Sequence, residues 1–71
     1  MSNAMPSVWK KVGTTSKGEP VWKHRSGAAR VVGNGPDSWF AEVRTPMGWV
    51  KVRAEPFESF VEAKDYAEAE A

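Results

Sequence analysis

Trp39-Phe40-Ala41-Glu42-Val43-Arg44-Thr45-Pro46-Met47-Gly48-Trp49-Val50-Lys51-Val52-Arg53 is the stretch whose reading decides the fold. Polar and apolar residues alternate on both sides of Thr45-Pro46-Met47-Gly48, where proline suits the second position of a turn and glycine the last. Strands are therefore expected at 39–44 and 48–53. Closing the hairpin across that turn sets Arg44 opposite Trp49 and fixes every other facing pair. One face then carries Phe40, Glu42, Arg44, Trp49, Lys51 and Arg53. The other carries Trp39, Ala41, Val43, Val50, Val52 and Ala54, all apolar, and is the core side because successive strand residues point to opposite faces. A slip of one residue would bury Lys51 and Arg53.

An apolar sheet face needs cover, and the following segment supplies it. Ser59 with Glu62 three residues on is a capping-box signature, each side chain satisfying a backbone N–H of the other residue. The spacing predicts a helix over about 59–70 that begins at Phe60. Phe60, Ala63 and Ala67 share its inner side with Tyr66 beside them, while Glu62, Lys64, Asp65, Glu68 and Glu70 face water. Phe57 and Phe60 close the end of the core.

Upstream, Val8–Val12, Pro20–His24 and Ala28–Val32 are three further candidate strands. The first two each contain Val-Trp-Lys, which is too short for a true repeat and reads as two hairpin strands with the same burial needs. Residues 13–19 form a loop by composition, and Gly33-Asn34-Gly35-Pro36-Asp37 is a break with a fixed proline φ and freely turning glycines. The predicted architecture is α+β: a small antiparallel β-meander of three to five strands, all within 8–54, packed against one C-terminal α-helix. Met1-Ser2-Asn3-Ala4, ahead of a second methionine, reads as an expression-tag remnant, and 5–71 as a single small domain. A domain of that size supplies only a few kcal/mol of net stability.

The net charge of +1 conceals a division. Through Arg53 there are nine Lys or Arg and three acids, a net of +6; beyond it Lys64 stands against six acids, a net of −5. Two readings fit: one surface that attracts anions while the other repels them, or a polar helix merely solvated on its acidic face. Catalysis finds little to work with, since the chain has one histidine, no cysteine, and serines with no base and orienting acid in view. His24, between Lys23 and Arg25, reads as an exposed strand residue. Its isolation and the scattered acids leave no set of metal ligands, and no cofactor is expected. Gly33-Asn34-Gly35-Pro36 lacks the Lys-Ser/Thr ending and the following helix of a phosphate loop. No apolar run nears the roughly 20 residues of a membrane span, so a cytoplasmic location is the default.

The exposed hairpin face remains, with Arg44, Lys51 and Arg53 around Trp49 and Phe40. Cations neutralise phosphate, arginine pairs with guanine edges, and aromatic rings pack on sugars or bases. Glu42 has two roles open to it, pairing with Lys51 across the strands or accepting from a cytosine amino group. The plainer reading is a solvated sheet face whose two aromatics are partly covered by the N-terminal hairpin.

Trp39-Phe40-Ala41-Glu42-Val43-Arg44-Thr45-Pro46 resembles the Trp-x-Ala-Glu-Ile-Arg-x-Pro signature of the APETALA/ethylene-responsive DNA-binding domain. An apolar-basic third strand, Phe57, Ser59 and Ala63 in an alanine-rich helix follow in matching order. The resemblance covers about residues 38–70 and implies a three-stranded sheet on one helix. It further implies DNA reading through the strand face that here holds Glu42, Arg44, Lys51 and Arg53. The family's arginine-rich first strand is represented by Arg30, and phage integrases bind arm sites with a similar sheet and helix. The expected nucleic-acid-binding set is thus Arg30, Glu42, Arg44, Trp49, Lys51 and Arg53 on a non-enzymatic module. An alternative is a protein-interaction or homo-oligomerisation module anchored by Phe40 and Trp49. A third arrangement, a five-stranded SH3-like barrel, would bury both rings.

Overall fold

A computed structural model describes residues 8–70. The tag remnant and the outermost positions of the expected domain, 5–7 and 71, lie outside the described residues. Five strands, β1 (Trp9–Thr14), β2 (Pro20–His24), β3 (Ala29–Gly33), β4 (Trp39–Thr45) and β5 (Gly48–Lys51), precede one helix, α1 (Phe60–Glu70). The sheet is an antiparallel meander in the order β1-β2-β3-β4-β5. The strands at its two ends, β1 and β5, do not pair with each other, so the sheet is open and the barrel arrangement is not the one adopted. The fold is the small α+β architecture that the alternation and the capping signature predict.

The β4–β5 register is the one the turn dictates, Arg44 facing Trp49, Val43 facing Val50 and Glu42 facing Lys51. Thr45 secures the turn twice: its hydroxyl donates to the Gly48 carbonyl (2.9 Å) and accepts from the Met47 N–H (3.1 Å). Gly48 has φ of +114°, a conformation that side-chain-bearing residues rarely adopt.

Helix α1 packs on β3 and β4. Ala63 and Ala67 are fully buried there and meet a sheet centre that is itself small, with Ala29, Val31 and Ala41 equally buried. Small residues on both sides let the two layers approach closely. Around this centre Phe60 lies between Trp22 and Trp39, ring centroids 5.3 and 5.4 Å away, and Phe57 meets Tyr66 at a tilt of 40°, centroids 4.8 Å apart. Trp9 joins the same core, its indole N–H donating to the Glu68 carboxylate (2.6 Å) and its ring meeting the His24 edge. Glu68, expected to face only water, thereby ties α1 to β1. His24 Nδ1 accepts from the Ser26 N–H (3.1 Å) and lies 2.8 Å from the Ser26 hydroxyl, which holds the β2–β3 turn.

Two inward assignments change. Val50 is on the core side of β5 but 47% exposed, because α1 covers the middle of the sheet and not its edge. Ala54 is exposed, because β5 ends at Lys51, the Val52 N–H makes the last bond to β4 by donating to the Ala41 carbonyl (2.8 Å), and the chain bends away over 53–56. It returns at Phe57, which exchanges two backbone hydrogen bonds with Trp39 (2.9 and 2.7 Å). Among the described residues no helix is long and apolar enough to cross a membrane.

Candidate nucleic-acid interface

With one face of the sheet occupied by α1, the other is left open, and the strand pairings dictate what stands on it. Lys10 faces Lys23, Lys23 faces Arg30, Arg30 faces Glu42, and Glu42 faces Lys51. These five residues form one row across all five strands, about 19 Å long at a strand spacing of about 4.8 Å. Four of the five are cations. Beside the row on one side lie Val21, Val32 and Phe40, paired with one another in sequence. On its other side lie Arg44 and Trp49.

Within the row the charges are unevenly compensated. The Arg30 Nε donates to Glu42 Oε1 at 2.6 Å, with the two side chains 31% and 12% exposed. Glu42 is therefore paired through Oε1 with Arg30 and not with Lys51. Lys10 and Lys23 have no acid opposite them, and like charges directly opposite in a sheet are destabilising.

The aromatic rings organise these cations. The Arg30 guanidinium lies 4.4 Å from the Trp49 ring centroid and Lys23 Nζ 5.9 Å from it, while Lys51 Nζ lies 4.0 Å from the Phe40 centroid. Both rings are half-buried under cations of the same face, and the N-terminal hairpin extends the sheet sideways, with only its 15–19 loop reaching the Phe40 side. Such contacts hold long, otherwise mobile side chains above the sheet.

Of the six residues expected at the interface, Arg30, Glu42, Arg44, Trp49 and Lys51 are brought together on the open face. Arg53 is not. Its strand has ended, and its guanidinium sits 3.8 Å from the Phe57 ring centroid, donating to the carbonyls of Glu55 and Pro56 (both 3.1 Å). It belongs to the loop that carries the chain back to Trp39. Lys10 and Lys23 were missed by the sequence reading although Val-Trp-Lys carried the signal: a tryptophan pointing inward on each strand sends the next residue outward.

The acids of α1 lie on the opposite layer, where Glu62, Asp65, Glu68 and Glu70 against Lys64 give −3, while Lys10, Lys23, Arg30, Arg44 and Lys51 against Glu42 give +4 on the open face. Among the described residues no group of three or more His, Cys, Asp or Glu converges as a metal site. No protein-family model, curated protein or solved structure matches the chain.

Proposed function

We propose that the protein is a non-enzymatic nucleic-acid-binding module whose contact surface is the open face of the sheet. The observation that carries this reading is the adjacency of Lys10, Lys23 and Arg30, in which Arg30 has Glu42 as its counter-charge while Lys10 and Lys23 have no acid opposite them. A fold of marginal stability gains nothing from like charges held in register, whereas a polyanion gains from them directly. The row, about 19 Å long, exceeds the roughly 12 Å width of a major groove. In a duplex complex the middle strands enter the groove, and Lys10 and Lys51 at the ends meet the bounding phosphates. Arg44, exposed beside the row, is the side chain with reach to a base edge. The reading carries a cytoplasmic location with it. A partner-protein or homodimer interface anchored on Phe40 and Trp49 draws less support, because cations already cover both rings.

Fluorescence anisotropy of labelled DNA at several salt concentrations tests the proposal. Phosphate contacts at Lys10 and Lys51 predict that log K falls with log salt at a slope of about −1.8 on duplex DNA, and Lys10→Ala should reduce that slope by about 0.9. Absence of binding at low salt, or affinity indifferent to salt, rules the reading out.

A further inference from the structure

We infer that a depression at one end of the cationic row takes an unpaired nucleobase, so that the preferred ligand is a single strand; the inference rests on the nucleic-acid reading and deepens it. The depression has a volume of about 290 Å³. Val32 and Phe40 give it an apolar floor, and Lys17, Asn34, Glu42 and Lys51 stand around it.

Its walls are fixed. In the β1–β2 loop the Thr15 N–H donates to the Glu19 carbonyl (2.7 Å), and the Thr15 hydroxyl accepts from the N–H groups of Lys17 and Glu19 (3.2 Å each). On the other side the Asn34 N–H donates to the Ser38 carbonyl (2.9 Å). An apolar floor with an aromatic ring, bounded by donors and acceptors, suits a flat heteroaromatic ligand with polar edges.

The position of Lys51 connects the two parts of the surface. It is both the last cation of the row and a wall of the depression, with its ammonium over Phe40. A phosphate held at Lys51 therefore brings its own nucleotide to the depression. The ammonium then leaves the ring for the phosphate and the base takes its place on the ring, an exchange that favours the base, because stacking outweighs an exposed cation–π contact. A base inside a duplex reaches the depression only by leaving its stack.

The test compares a labelled 12-nucleotide single strand, as DNA and as RNA, with the corresponding DNA duplex at one salt concentration. Single strands are expected to bind about tenfold more tightly than the duplex, and Phe40→Leu, which keeps an apolar side chain but removes the π face, should abolish most of that advantage. Dependence on Phe40 with either sugar supports the inference. Amide shifts of the wild-type protein titrated with oligothymidine provide a readout that needs no variant, with Gly33, Asn34 and Phe40 expected to move. Equal affinity for both forms, with those three amides unmoved, overturns the base site and leaves the cationic row standing. No binding of any of the three oligonucleotides overturns both.

Discussion

A Cβ built on Gly33 would lie 2.9 Å from Pro20 Cδ and 3.2 Å from its Cγ. The proline ring is tied to its own backbone and cannot swing aside, so the obstacle is steric rather than conformational. Gly33→Ala is expected to destabilise the protein by about 1–3 kcal/mol, read as a lower urea midpoint with an unchanged m-value. Glu42 offers a second residue-level test. Glu42→Gln keeps the shape but removes the only acid of the row, leaving Arg30 beside Lys23 without its counter-charge. A loss of about 1–2 kcal/mol in stability should accompany tighter DNA binding; weaker binding would mean that the carboxylate itself contacts the ligand. That Glu42 pairs with Arg30 could not be read from the hairpin alone. The partner comes from β3, whose register with β4 depends on the length of the intervening Asn34–Ser38 loop rather than on any local pattern.

The second hairpin and the helix were the most legible elements, because each is specified by residues close in sequence. Alternation and a Pro-Met turn fix β4 and β5, and Ser59 marks the helix start, its hydroxyl accepting from the Glu62 N–H at 3.1 Å. Ser59→Ala should destabilise the protein by about 1 kcal/mol, with thermal unfolding followed by circular dichroism as the check. At the other end α1 has no basic residue in its last turn. Glu70→Lys should therefore stabilise by about 0.3–1 kcal/mol through the helix dipole, whereas the same change at Glu68 would remove the Trp9 hydrogen bond. The end of β5 was not legible. Alternation continues through Val52, Arg53 and Ala54, yet the chain departs there to reach Trp39, a contact distant in sequence that no periodicity reports. Arg53 therefore leaves the face that alternation assigns to it and lies over Phe57.

At the scale of the whole molecule, charge and stability are set against each other. Replacing Lys23 by Glu puts an acid between Lys10 and Arg30, turning two repulsive cross-strand neighbours into attractive ones. Lys23→Glu is predicted to raise stability by about 0.2–1 kcal/mol while lowering affinity for DNA at least tenfold. A variant that is less stable, or binds as well as the parent, would dissociate the row from function. The arrangement of helix on sheet has a further consequence, in the order of synthesis. All five strands precede α1 in the chain, so a ribosome finishes the sheet before it makes the segment that covers Val31, Trp22 and Trp39. Until then the nascent protein presents an uncovered aromatic surface, and chaperones or neighbouring chains have an interval in which to bind it.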